Sequence, residues 1–314
     1  LLARLADPGE DDAFGRDDRL QKDWGYAALV EIAGLRILFD TGNDPQVFEH
    51  NVRSLGVDLK TLDFVVLSHR HGDHTTGLAY LLAENPKVQI YAPQEGFGVF
   101  GASLPSSFYR KNPALPKELR YFDGTPPERM QFGKAWPDAN ITLIEETTRI
   151  APGVHLIALV SDVPGTREMR ELSLAIETAH GMVLVVGCSH PGIERIVAAA
   201  AEIDRRIHLI AGGLHLVTTP DAEIARLMAV LSETYRVAWI APGHCTGEPA
   251  FEALITRFGD RNVYAGLGTT LALGADPRAG LPGESRFALG PEDLADYRQV
   301  LRGTLVRFGR PSAI

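Results

Sequence analysis

Four side chains able to bind a transition metal fall within six residues at His69-Arg70-His71-Gly72-Asp73-His74, directly after the apolar run Phe64-Val65-Val66-Leu67. Residues i and i+2 of an extended segment point the same way, so His69 and His71 can offer their imidazoles to one ion while Arg70 faces elsewhere. Gly72 permits a tight turn that carries Asp73 and His74 to the other side of the loop, where a second ion can sit. Imidazole with carboxylate suits Zn, Fe, Mn or Ni better than Ca or Mg. Zinc, as one or two ions, is the expected cofactor. A single histidine on such a loop reads as an ordinary exposed residue, but three with an aspartate at this spacing read as a catalytic metal site.

Such ligands need strand ends to hold them, and the flanking sequence supplies these. Residues 28–32 and 35–40 flank Ala33-Gly34 and predict a β-hairpin. A helix is expected over 45–55, a strand over 62–68 feeding the metal loop, a helix over 75–83 and a strand over 88–92. This alternation predicts the first half of a four-layer αββα sandwich, an α/β fold. Residues 93–140 break the pattern with Pro, Gly and Ser, and they carry Phe108-Tyr109-Arg110-Lys111. They read as an inserted lid, with Arg110 and Lys111 available to an anionic substrate. Strands resume at 141–145, 154–160, 172–178 and 182–186, with a turn at His180-Gly181. A helix (193–203), a strand (207–211), a helix opened by Thr219-Pro220 (221–231), a strand (237–241) and a helix (249–258) follow. A closing strand is expected within 263–273, and 274–314 form a C-terminal extension with one short helix at 291–302.

Further motifs lie downstream of Asp40-Thr41-Gly42: Gly187-Cys188-Ser189-His190-Pro191-Gly192-Ile193, Ala211-Gly212-Gly213-Leu214-His215-Leu216 and Pro242-Gly243-His244-Cys245-Thr246-Gly247. With the first cluster they resemble the motif series of the metallo-β-lactamase superfamily, over about residues 24–272. One branch is especially similar, the 7,8-dihydropterin-6-yl-methyl-4-(β-D-ribofuranosyl)aminobenzene 5′-phosphate synthases of the methanopterin pathway. The resemblance implies the four-layer metallo-β-lactamase sandwich and a metal-dependent hydrolase, with a metal-activated hydroxide attacking an ester, lactone, amide or phosphoester. For the synthase branch it implies instead ions that orient a pterin pyrophosphate for attack by an aryl ring and neutralise the departing pyrophosphate. The fold hosts many reactions, so the resemblance points to the superfamily more sharply than to a substrate. Di-iron redox relatives usually carry Glu where His71 stands, and a non-catalytic metal scaffold would not need so full a ligand set.

His190 follows the buried strand that ends at Gly187-Cys188-Ser189, so it emerges where the first cluster emerges and completes a three-histidine site with His69 and His71, one position left for water. His244 holds the corresponding place in the last motif and joins Asp73 and His74. Most hydrolases of this fold have a third-motif His on an earlier loop and a fourth-motif Asp bridging the ions. Here Gly187-Cys188 resembles the fourth motif with Cys in place of Asp, and His190 substitutes for the third-motif His. Cys188 is either a thiolate ligand or an inward-pointing residue, the latter leaving one tight ion and a weak second. Cys188 and Cys245 are expected as free thiols rather than a disulfide. His215, after two glycines that allow close backbone approach to a ligand, reads as a proton donor or substrate contact beside the ions. Asp73 doubles as ligand and proton relay. Asp40 is expected to orient a ligand imidazole from behind and fix its tautomer, the alternative being an Asx turn. His50, His155, His180 and His208 read as structural.

At 314 residues and 45% hydrophobic, the chain can bury one large core, and a single domain over 1–314 is expected. A net charge of −9 gives no general attraction to nucleic acid or anionic lipid, so the partner expected is a small-molecule substrate. No run approaches the roughly 18 apolar residues that span a bilayer. A soluble, cytoplasmic protein is expected. The first residue is Leu rather than Met, which suggests a processed or trimmed start and keeps a secreted form as the alternative. Oligomeric state has no signal in the sequence.

Overall fold

Along most strands the apolar side chains alternate, and the two sets end in different layers. The computed structural model describes residues 2–6, 20–95, 138–263 and 265–280, with short stretches between 103 and 136. In chain order the strands are β1 (Leu2–Ala6), β2 (Ala27–Ile32), β3 (Leu35–Phe39), β4 (Phe64–Val66), β5 (Gln89–Pro93), β6 (Ser103–Pro105), β7 (Arg129–Gln131), β8 (Ile141–Ile144), β9 (Thr148–Ala151), β10 (Val154–Val160), β11 (Arg170–Thr178), β12 (Gly181–Val186), β13 (Ile207–Gly213), β14 (Trp239–Gly243) and β15 (Thr270–Ala272). The helices are α1 (Pro45–Ser54), α2 (Gly72–Thr75), α3 (Leu78–Glu84), α4 (Ile193–Ala201), α5 (Asp221–Ala229) and α6 (Glu248–Phe258). One sheet runs β15-β1-β2-β3-β4-β5-β8 and the other β14-β13-β12-β11-β10-β9, while β6 pairs with β7.

On β3, Ile37 and Phe39 join the core between the sheets, and Leu38 packs with Phe48 and Val52 of α1 and Leu78 and Leu81 of α3. On β12, Val183 and Val185 join that same inter-sheet core. Met182, Leu184 and Val186 pack instead under Ile196 of α4, Leu227 of α5 and Leu254 of α6. This period of two produces helix, sheet, sheet, helix: the four-layer αββα sandwich. Truncating a central side chain such as Leu184 to Ala would cost about 2–5 kcal/mol.

The hairpin expected at 28–40 is β2–β3, antiparallel with Val30 opposite Ile37. Helix α1 begins where its sequence suggests, because Asp44 accepts from the Gln46 and Val47 amides at 2.7 and 3.2 Å with Pro45 in the first turn. Three details differ from expectation. The helix expected over 75–83 divides into α2 and α3, since the His74 carbonyl accepts from the Thr41 amide (2.8 Å) and hydroxyl (3.0 Å) instead of from a residue one turn on. Gly77 lies so close to the Thr41 carbonyl that a Cβ would collide with it. The closing strand shrinks to β15, which pairs with β1 in the first sheet. Before it, the Val263 amide bonds the Ile240 carbonyl of the second sheet at 2.7 Å and Gly268 turns at φ +75°, so the chain crosses from one sheet to the other. The strands β1, β6, β7 and β9 were not expected: β1 is defined by pairing with β2 and the distant β15, β6 and β7 pair with each other within the inserted segment, and β9 is the short first arm of a hairpin with β10 across Pro152-Gly153. The Phe108-Tyr109-Arg110-Lys111 segment and the helix expected at 291–302 lie outside the described residues.

Candidate metal centre

The first sheet aligns β3 and β4 in parallel, and the second aligns β12, β13 and β14 in parallel. Loops after the carboxyl ends of these strands carry Asp40, Ser68 to His74, Cys188 to His190, His215 and His244. That edge is where ligands collect in α/β sheets. Four non-glycine residues with positive φ sit here: Asp40 (+61°), Ser189 (+63°), His215 (+49°) and His244 (+51°). Such backbone strain concentrates at functional sites.

The first pocket gathers His69, His71 and His190. His71 Nδ1 is 3.0 Å from His69 Nε2 and 3.2 Å from His190 Nε2. Nitrogens bound to one tetrahedral zinc at 2.0–2.1 Å lie roughly 3.3 Å apart, so the three imidazoles fit an ion at their common focus. Burial and the neighbouring imidazoles hold His69 well below the usual histidine range, and burial with His215 and His71 pushes His190 down to about 3. Both are therefore neutral, the form that binds metal.

The second pocket gathers Asp73, His74 and His244. The two Nε2 atoms are 3.1 Å apart, and Asp73 Oδ2 lies 3.7 Å from His74 and 3.4 Å from His244. Burial opposes ionisation of Asp73, but the hydrogen bond from His244 and the His74 charge prevail and hold its carboxyl well below the usual range. Cys188 Sγ lies 3.2 Å from His74 Nε2 and within 4.8 Å of the ligand atoms of both His69 and His74. Its side chain thus faces the cluster, on the wall the two pockets share. The hydrogen bond with Cys245 and burial push the Cys188 thiol up. An adjacent dication is the influence that would take that proton. Cys188 and Cys245 are both free and buried.

Hydrogen bonds behind the candidate ligands fix their orientation. His74 Nδ1 donates to Asp40 Oδ2 at 2.7 Å, and His244 Nδ1 donates to the Trp24 carbonyl at 2.9 Å, so both turn Nε2 toward the second pocket. The Ser68 hydroxyl donates to Asp40 Oδ2 at 2.7 Å and accepts from His69 Nδ1 at 2.9 Å, while the Ser68 amide donates to Asp40 Oδ1 at 2.7 Å. One buried carboxylate therefore orients an imidazole in each pocket. Burial works against protonating His74, but the Asp40 charge and hydrogen bond outweigh it and raise its pKa above the usual value.

The His215 ring lies tilted against that of His190 with centroids 4.2 Å apart, and hydrogen bonding to Cys245 raises its pKa. The glycines before it have a different use from the one expected. A Cβ on Gly212 would strike the Val186 carbonyl, and one on Gly213 would strike the Gly187 carbonyl and come 2.9 Å from Cys245 Sγ. They let β13 close against the loop after β12, not a ligand against the backbone. Gly72 likewise takes no glycine-only conformation and opens α2, with His71 as its N-cap. His155 pairs with Glu177 at 2.6 Å and His208 meets the Gly274 carbonyl at 2.9 Å, both apart from the centre. Arg110 and Lys111 lie outside the described residues. Sequence reasoning missed Ser68 and the buried Glu171, whose carboxylate accepts from the amides of Cys188, Ser189 and His190.

Residues 35–145 match the family described as the Beta-lactamase superfamily domain. A solved structure titled as a metal-dependent hydrolase of the beta-lactamase superfamily is 26% identical, with a TM-score of 0.58 over 80% of this chain and 93% of that one. The fold is that of the metallo-β-lactamase superfamily, to whose members the chain is similar. Among individual proteins it is similar to the 7,8-dihydropterin-6-methyl-4-(beta-D-ribofuranosyl)-aminobenzene-5'-phosphate synthase of Methanocaldococcus jannaschii, 27% identical across 79% of this chain and 89% of the synthase. A Ribonuclease Z of Clostridium botulinum is 35% identical, but over only 30% of this chain and 29% of its own length.

Proposed function

We propose that the protein is a metal-dependent hydrolase acting on an ester, lactone, amide or phosphoester of a small molecule. The observation that carries this reading is the pair of ligand triads, His69/His71/His190 and Asp73/His74/His244, with nitrogens 3.0 to 3.2 Å apart and Cys188 on their common wall. Zinc is the ion proposed, with Fe, Mn or Ni as alternatives suited to the same donors. When bound, it lowers the pKa of a coordinated water to about 7 and polarises a carbonyl or phosphoryl oxygen. His71, Asp73 and His215 are the partly exposed members, while the His244 imidazole is buried, so substrate meets the centre on the side of the first three. Asp73, ionised, accepts a proton from the attacking water, and His215 returns one to the leaving group. Arg110 and Lys111 are proposed to hold an anionic group of the substrate. Among the described residues no helix is long and apolar enough to cross a membrane, and a cytoplasmic enzyme is proposed.

The near full-length similarity to the dihydropterin-linked synthase favours a second reading, a transferase that releases pyrophosphate. The deciding experiment gives the zinc-loaded protein chromogenic esters, lactones and phosphodiesters in one series and a dihydropterin pyrophosphate with an aryl ribofuranosyl phosphate acceptor in another. Chelator-sensitive hydrolysis restored by zinc supports the first reading. Pyrophosphate release that requires the aryl acceptor, without hydrolysis in the other series, replaces it with the second.

A further inference from the structure

Glu171 lies at the start of β11 with 1% of its surface exposed, and all of its carboxylate's described bonds go to one turn. Oε1 accepts from the amides of Cys188 (3.1 Å) and Ser189 (2.7 Å), and Oε2 accepts from the amide of His190 (2.7 Å). Three successive amides converging on one anion form a backbone nest, here filled by the protein's own side chain. The middle residue, Ser189, is held at φ +63°, a conformation a non-glycine residue adopts only when its surroundings impose it. The Ser189 hydroxyl donates to the Gly213 carbonyl at 2.7 Å, and the Ser161 hydroxyl donates to the His190 carbonyl at 2.9 Å. On the other side, the Leu172 amide bonds the Ser68 carbonyl at 2.8 Å, so the strand that carries Glu171 is also tied to the loop before His69.

The two residues flanking Ser189 point different ways. His190 contributes to the first pocket, with Nε2 3.2 Å from His71. Cys188 turns to the second, with Sγ 3.2 Å from His74. We infer that Glu171 is a positioning residue that couples the two ion pockets. Its carboxylate holds the left-handed turn at Ser189, and that turn aims one ligand into each pocket. Replacing the carboxylate releases both ligands at once, whereas loss of an ordinary ligand empties one pocket first. The inference rests on the two-ion reading above.

The test is calorimetric titration of zinc into metal-free full-length protein, paired with absorption spectra of the cobalt-loaded form. In Glu171→Gln the amide group presents a donor to one of the three N–H groups. Both binding steps should weaken by about tenfold or more, the scale of losing a ligand's partner, and the thiolate-to-cobalt charge-transfer band should fall with them. Adding Ser189→Gly to that variant should recover part of the affinity, because glycine takes positive φ without strain. A merely structural carboxylate would give no such recovery. Glu171→Gln binding both ions with wild-type affinity and spectrum, or losing only one, overturns the inference while leaving the two-ion reading intact. Wild-type protein that takes up no ion defeats that reading, and this inference falls with it. Should Glu171→Gln not fold, hydrogen exchange in the wild-type metal-free protein decides: protection of the three amides at 188–190 is expected, and exchange at unstructured rates overturns the clamp.

Discussion

The first pocket is made of three imidazoles, and the second combines a carboxylate, two imidazoles and a thiol on its wall. The chemistry behind them differs as well. His69 and His190 are held neutral by burial and by neighbouring imidazoles, so no proton competes with an ion there near neutral pH. His74 is backed directly by the buried Asp40, which makes its imidazole a better donor and also a better base. An ion in the second pocket would therefore compete with protons at higher pH than one in the first.

The sharpest way to break this contrast is to remove a first-pocket ligand. His69→Ala should lower kcat/KM by more than about 100-fold, beyond what loss of a ligand's partner costs, and should lower bound zinc. Activity within tenfold of wild type would move the chemistry out of the imidazole pocket. Asp40→Asn should weaken the second ion by about 10–100-fold and the first by less, since Asp40 reaches His69 only through Ser68. Competition with a chromogenic chelator reads the two affinities, and equal losses would contradict the asymmetry.

Acidification sharpens the same comparison. The His74 pKa is raised above the ordinary histidine value of about 6.5, so without metal protons already occupy it above that pH; they leave as pH rises further. His190, at about 3, stays neutral until far more acidic solution. The second ion should be released first on lowering pH, followed as metal freed at each step; release in the opposite order would refute the contrast. The smallest effect is expected for Ser68→Ala. It deletes one link worth about 1 kcal/mol, roughly fivefold in affinity, and should weaken both ions. An unchanged first-ion affinity would show that His69 needs no support from Asp40.

The convergence of the candidate ligands was readable in the sequence because few residue types bind transition metals and because strand and loop spacing restricts where they can meet. Asp40 was readable for a related reason, as a carboxylate at a strand end just before the metal loop. Ser68 and Glu171 were not. They act through hydrogen bonds to a neighbour's ring or to backbone amides, tasks that many residues perform and no spacing marks. The break between α2 and α3 was equally hidden, since its cause is Thr41, distant in sequence, occupying the His74 carbonyl. Gly212 and Gly213 showed that close approach occurs there, but only the fold shows that the approaching group is the chain itself. Strands β1 and β15 depend on pairing across almost the whole described chain, which local periodicity does not carry.

The central claim is a two-ion centre with Cys188 on the wall between its pockets. Elemental analysis of metal per chain, on wild type and Cys188→Ala purified without chelator, tests it most directly. Two equivalents in the wild type falling to one in the variant is the predicted result, and one equivalent in both proteins would contradict it, leaving only the ion held by His69, His71 and His190.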